Sequence, residues 1–224
     1  MHLTIFANGE LPPPDINLEP NTQVVAVNGG ARHCLSLGIH PDVVIGDFDS
    51  FSLEEVEIVK NRKTTLLRYP TSKDETDLEL ALNFAVDSGA ADVVMYGLLG
   101  NRWDMSFSNI LLLSSTRFNQ INFFVESGNT SIRVLRGGTK LFIQGNLNNR
   151  VSIIPLSRIA NGISIQGLEW SLDDESLEFG SQRGLSNKTI KKLSQISLKS
   201  GILLVIIDRE LSSSKGHFSA VYSE

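Results

Sequence analysis

Val43-Val44-Ile45-Gly46-Asp47-Phe48-Asp49-Ser50 passes from an unbroken β-branched run, through a glycine, to two acids separated by one residue. An all-apolar run of this kind reads as a strand covered on both faces, the condition of a parallel sheet flanked by helices. Outward from it the same rhythm repeats. Residues 3–7, 23–27, 43–45, 65–68, 93–96 and 122–125 read as strands, and 30–37, 52–61, 75–88 and 102–116 as the helices between them. In the third of these helices Leu78, Leu82, Ala85 and Val86 share one side. Strand alternating with helix as far as about Glu126 predicts an α/β unit on a parallel sheet.

After Ser127 the rhythm changes. Segments such as 139–143, 151–155, 163–165 and 203–207 are short and separated by Gly, Asn and Ser turns, the pattern of an all-β sandwich or barrel. Polar turn residues cluster at 127–129 and place the boundary there. The expected organisation is therefore 1–128, 129–208 and a polar, Ser-rich tail at 209–224 that reads as a frayed end or an edge strand.

Composition narrows the function classes. Twenty Lys and Arg stand against 25 Asp and Glu in 224 residues, a net charge of −5, so no surplus of cations exists to neutralise nucleic-acid phosphates. Cys34 is the only cysteine, which excludes an internal disulfide framework and a thiolate zinc site and fits a cytoplasmic location. No window reaches the roughly 18 apolar residues that span a bilayer, and Met1 to Glu10 lacks the pattern of an export signal, so neither membrane nor export is expected.

The acids fall where the predicted strands end. Asp47 and Asp49 follow one strand, and alternation would aim both carboxylates at the carboxyl edge of the sheet, where α/β sheets bind ligands. Two carboxylates so close repel unless a cation lies between them, and a hard ion such as Mg²⁺ is the economical one. The competing account is a solvated turn into a helix capped by Ser52 with Glu55. A second cluster, Lys73-Asp74-Glu75-Thr76-Asp77-Leu78-Glu79, has Asp74 and Asp77 at the spacing of a helix N-cap and its N3 position. At the same sheet edge, Asp77 would complete an oxygen-rich metal site and Lys73 would serve phosphate. Gly97-Leu98-Leu99-Gly100-Asn101-Arg102-Trp103-Asp104 and Val27-Asn28-Gly29-Gly30-Ala31-Arg32 are glycine turns opening helices, suited to an anion, with Arg102 a bidentate phosphate donor. Neither is a P-loop, and His2, His33, His40 and His217 lack metalloprotease spacing and read as structural or solvated. Together these loops fit a metal and polyphosphate site.

The chain resembles the thiamine pyrophosphokinase family. The resemblance rests on Ala7-Asn8-Gly9-Glu10, Asn28 to Arg32, Gly38-Ile39-His40-Pro41-Asp42, Ile45 to Ser50, Lys73 to Glu79 and Gly97 to Asn109. It continues through Gly167-Leu168-Glu169-Trp170-Ser171-Leu172 and Gly184-Leu185-Ser186-Asn187. It implies a Rossmann-like catalytic domain, a thiamine-binding β-sandwich, and a homodimer whose active sites lie where the catalytic half of one chain meets the sandwich of the other. It also implies the reaction: ATP and thiamine give AMP and thiamine diphosphate, with Mg²⁺. By motif position Asp47, Asp49 and Asp77 are the metal ligands, with Asp74 and Arg102 beside them in catalysis. Asn28, Gly29, Gly30, Arg32, Lys73, Arg102 and Asp104 line the ATP region, and Trp170, Ser186 and Asn187 hold thiamine. From the residues alone, Trp170 reads as a sandwich-core aromatic.

The chain departs from the family pattern at Asn28, where Asp is usual, and at Met105, where His or an amide is usual. Two other readings stay open at this point: a diphosphotransferase acting on another heterocyclic alcohol, and a non-catalytic module that binds thiamine or nucleotide.

Overall fold

Strands β1 (His2–Phe6), β2 (Gln23–Val27), β3 (Val43–Gly46), β4 (Thr65–Arg68), β5 (Asp92–Tyr96) and β6 (Asn122–Ser127) pair in parallel, in the order β6-β5-β1-β2-β3-β4. The structure is a computed structural model and describes residues 1–14, 16, 18–49, 51, 63–209 and 219–223. The chain divides into two compact units, Met1–Gly128 and Asn129–Glu224. Every residue of β3 is buried, as its unalternating apolar run requires of a strand covered on both faces. From β1 the sheet grows through β2, β3 and β4; the chain then returns to lay β5 on the other side of β1. The carboxyl ends of β1 and β5 are thus a switch point, where loops leaving adjacent strands part and open a crevice.

Helices α1 (Gly30–Ser36), α2 (Asp77–Asp87) and α3 (Trp103–Leu113) follow β2, β4 and β5. Helix α2 packs through Leu78, Ala81, Leu82 and Ala85. It begins at Asp77, not Glu75, because Thr76 is its N-cap: the threonine hydroxyl accepts the Glu79 N–H at 3.2 Å. Thr76 and Glu79 thus hold the positions of a capping box, and the N-cap expected of Asp74 is corrected. Helix α3 buries two polar side chains together with Leu113 and exposes several apolar ones. Its buried face carries Ser106 and Asn109, while Trp103, Phe107 and Leu111 are exposed. The helix expected at 52–61, with its Ser52 and Glu55 cap, lies outside the described residues, as does His217.

The second unit is a β-sandwich. Strands β7 (Thr130–Arg136), β8 (Thr139–Gln144), β9 (Arg150–Pro155), β10 (Ile159–Gln166), β11 (Glu175–Glu178), β12 (Asn187–Lys188), β13 (Leu193–Leu198), β14 (Ile202–Asp208) and β15 (Ser219–Ser223) form two antiparallel layers. Their orders are β12-β9-β14-β7 and β11-β10-β13-β8-β15. Leu135, Val151 and Leu203 from one layer share a core with Leu141, Ile163 and Ile196 from the other. Part of the polar tail is the edge strand β15. Buried Arg133 donates through Nε to the Ala220 carbonyl at 3.1 Å, and Val134 N–H donates to the Tyr222 hydroxyl at 3.1 Å, which fixes a segment that lacks apolar periodicity.

Candidate functional site at the edge of the parallel sheet

The loops leaving β1 and β5 are laced together by their own backbones. Gly9 N–H donates to the Gly97 carbonyl at 2.8 Å and Glu10 N–H to the Leu99 carbonyl at 2.6 Å. No side chain fits between them: a Cβ on Gly97, at φ 65°, would stand 2.3 Å from the Ala7 carbonyl oxygen. From α3 the Ser106 hydroxyl accepts the Gly100 N–H at 3.0 Å and donates to the Gly100 carbonyl at 3.1 Å. Asn109 Nδ2 donates to the Leu98 carbonyl at 3.0 Å. These loops wall a cavity of about 500 Å³ whose lining includes Asn28, Thr76, Asp77, Arg102 and Met105, a size suited to a small-molecule ligand.

Charge is gathered behind Asn28 and Asp77 of this lining. Asn28 Nδ2 donates to Asp47 Oδ1 at 3.0 Å and to Asp77 Oδ2 at 3.2 Å, which brings acids from two distant loops to one nitrogen. Lys73 Nζ lies 2.8 Å from Asp77 Oδ1, outside hydrogen-bond geometry, so that buried oxygen accepts no hydrogen bond. Burial pushes the Asp47 carboxyl up. Hydrogen bonding from Asp49, the charge of Lys73 and the Asn28 amide together outweigh that effect and hold it below the usual carboxylate range.

Asp49 is exposed and joins through its main chain, its N–H donating to Asp47 Oδ1 at 3.2 Å. Simple alternation from β3 does not place these acids, because Phe48 between them adopts φ 60°, a left-handed conformation rare for a bulky residue. Its ring packs edge-on against Phe51, which anchors the turn.

Among the described residues no three His, Cys, Asp or Glu side chains are gathered as a metal site. The pair Asp47 and Asp77 nevertheless fits Mg²⁺. That ion is commonly bound through one or two carboxylates plus substrate phosphates, and Asp77 Oδ1 is a buried carboxylate oxygen with a hydrogen-bonding position to spare.

The other expected residues are placed as follows. Gly29 and Gly30 serve close packing: a Cβ on Gly30 would stand 2.0 Å from the Phe6 carbonyl oxygen. The N–H groups of Ala31 and Arg32 are spent on the Asn28 and Gly29 carbonyls. Arg32 is exposed, with its guanidinium over the Phe51 ring. Asp74 is exposed in the loop before α2. Arg102 lines the cavity and forks onto Asp104 through Nε at 3.2 Å and a second, shorter contact. The fork's hydrogen bonds raise the guanidinium and lower the Asp104 carboxyl. His33 reaches the Gly9 carbonyl with Nε2 at 3.1 Å, a structural contact.

The sandwich carries its own pocket of about 190 Å³, with Val151, Ile153 and Ile165 on its walls and Trp170, Arg183 and Asn187 beside them. Trp170 is 56% exposed, so the core-aromatic reading is corrected. The Asn187 amide grips its backbone, donating to the Trp170 carbonyl at 2.7 Å and accepting the Trp170 N–H at 3.0 Å. Ser186 takes φ 61° and donates its N–H to Ser152 Oγ at 3.0 Å.

Sequence reasoning named no role for Thr76, Ser106 or Asn109. The available signal was two polar residues at i, i+3 directly after a glycine turn, a spacing that faces a helix back toward the loop preceding it.

A family model described as thiamin pyrophosphokinase, catalytic domain, matches residues 17–125, and one described as thiamin pyrophosphokinase, vitamin B1 binding domain, matches residues 140–203. Thiamine pyrophosphokinase of Bacillus subtilis is 29% identical over 196 residues, covering 86% of this chain and 91% of that protein. The crystal structure of thiamine pyrophosphokinase from Bacillus subtilis superposes with a TM-score of 0.85 at 25% identity, over 94% of this chain and 100% of that one. The thiamin pyrophosphokinase structure from Geobacillus thermodenitrificans gives 0.80 at 26% identity, over 96% and 100%. Both family domains follow one another along a chain whose fold these structures share, and the protein belongs to the thiamin pyrophosphokinase family.

Proposed function

We propose that the protein transfers the diphosphate of ATP to the hydroxyl of thiamine, giving thiamine diphosphate and AMP. The observation that carries this reading is that Asp77, on the wall of a cavity at the switch point of a parallel sheet, meets Lys73 directly and Asp47 through the Asn28 amide. The thiamine hydroxyl oxygen attacks the β-phosphorus in line and releases its proton to solvent. The bond from that phosphorus to the oxygen bridging it to the α-phosphate breaks, and AMP leaves with the electron pair. Such a transfer depends on positioning and charge neutralisation more than on covalent help.

Asp47, Asp49 and Asp77 are assigned to Mg²⁺, with Asp74 nearby. When bound, the ion neutralises charge on the transferring phosphate oxygens. Lys73, mostly buried beside Asp77, presents a fixed positive charge to the same oxygens. Arg102 exchanges Asp104 for a phosphate, a cheap exchange because their present pair is exposed and screened. Asn28, Gly29, Gly30 and Arg32 shape the nucleotide side of the site.

The exposed indole of Trp170 offers a flat face for the cationic thiazolium ring, and Asn187 and Ser186 set its height. Trp103, Phe107 and Leu111 form an outward apolar stripe on α3, which supports a homodimer with a second copy covering it. The lone, buried Cys34 supports a cytoplasmic location. Among the described residues no helix is long and apolar enough to cross a membrane.

The test is direct: purified protein with ATP and thiamine, with and without Mg²⁺, assayed for AMP and thiamine diphosphate. Calorimetric binding of both substrates with no AMP formed would establish a binding module instead.

A further inference from the structure

We propose that Asn28 brackets Asp47 and Asp77 through its single amide nitrogen, so that an incoming cation meets a carboxylate pair already gathered. The cation's part in this rests on the function proposed above; the bracket does not. An amide NH₂ has two donor hydrogens and no charge, and here its nitrogen reaches one oxygen of each carboxylate, at 3.0 Å and 3.2 Å. The side chain is placed by its backbone. Asn28 sits at φ 45°, a conformation Asn tolerates, its N–H donates to the Ile45 carbonyl at 2.8 Å, and Gly46 leaves room for its Cβ.

Two carboxylates this close repel one another, and Lys73 pairs directly with Asp77 at 2.8 Å while reaching Asp47 only through its charge. The amide supplies the remaining attraction. It does so through Asp77 Oδ2, so that Asp77 Oδ1, beside Lys73, keeps its unused accepting position. A carboxylate at position 28 would be an acceptor facing two acceptors, and the cluster would then hold together only around a cation. Asn28 therefore exchanges some cation affinity for a site that is assembled without one.

The experiment uses the full chain with Asn28→Asp and Asn28→Gly; glycine keeps the positive φ without strain while removing the amide. Thermal midpoints are measured in EDTA, and Mn²⁺ binding without nucleotide is followed by the resonance of the free ion. Asn28→Asp is expected to lower the EDTA midpoint by about 3–6 °C. With a third charged ligand it should also tighten Mn²⁺ by roughly tenfold. Asn28→Gly is expected to weaken Mn²⁺ on the order of three- to tenfold, because the ion must now gather the pair itself.

An Asn28→Asp midpoint in EDTA equal to or above wild type overturns the bracket, as does Mn²⁺ affinity unchanged in both variants. Should the wild-type chain form no thiamine diphosphate while these shifts are present, the catalytic reading fails and the bracket stands. Should wild type bind no Mn²⁺, the metal assignment fails and the EDTA midpoints alone decide the bracket.

Discussion

The two pockets are walled by opposite means. In the parallel unit every strand ends at the same edge, so polar loops converge there and their backbones knit the wall, as Gly9 and Gly97 do. In the antiparallel unit neighbouring strands end at opposite edges, and the pocket lies between the two layers, with Val151 and Ile153 from one and Ile165 from the other, and Trp170 exposed beside it. Parallel pairing collects charge and helix starts; the sandwich supplies an apolar cleft between its layers, beside which one planar side chain can be set. A reaction that needs both phosphate handling and a flat cationic ring has a use for each.

The division of labour breaks first at the acids. Asp77→Asn is expected to lower turnover by about 100-fold or more at saturating Mg²⁺, with Asp49→Asn of similar size, as lost electrostatic stabilisation should. Steady-state thiamine diphosphate formation checks this, and near-wild-type rates would remove both acids from the site. Trp170→Ala is expected to raise the thiamine KM by roughly tenfold, in line with about 1–2 kcal/mol for a cation over an indole. The ATP KM should not move; if it does, the two pockets do not divide the substrates.

Smaller effects sharpen the contrast in how the walls are built. Gly97→Ala meets the Ala7 carbonyl and an unfavourable φ at once and is expected to cost about 2–3 kcal/mol. Gly180→Ala, at φ 84° with nothing within 4 Å, carries the backbone penalty alone, about 1 kcal/mol. Chemical denaturation midpoints of the two variants rank them. Smallest is the acid limb of stability. Because Asp47 titrates below its unfolded value, its contribution is complete above about pH 4 and disappears as pH falls through the depressed folded value. Asp47→Asn should flatten that limb in a thermal melt series from pH 5 to about pH 2.5.

Much of the parallel unit was legible because burial on both faces leaves no alternation to misread: β2 and β4 lie at the residues read for them and β1, β3, β5 and β6 within two residues of them. The start of α2 was misread because two N-cap candidates, Asp74 and Thr76, compete in sequence, and only the fold shows which oxygen reaches a helical N–H. Asp47 reaches the sheet edge as expected, but simple alternation does not carry Asp49 with it, because Phe48 between them turns left-handed. Trp170 misled in the other direction. An aromatic in a sandwich is usually core, and its exposure follows from the backbone grip of Asn187, seventeen residues on.

Local pattern alone determined the strands of the parallel unit to within two residues, that acids and glycines stand at strand ends, and that the chain changes from α/β to all-β near residue 128. Those properties depend on side-chain periodicity and turn chemistry, which act over a few residues. Which acids meet was decided only by the tertiary structure. Residues 28, 47, 73 and 77 are brought together by strand order and by the reach of one amide and one ammonium, and contacts between such separated loops leave no periodicity in the chain.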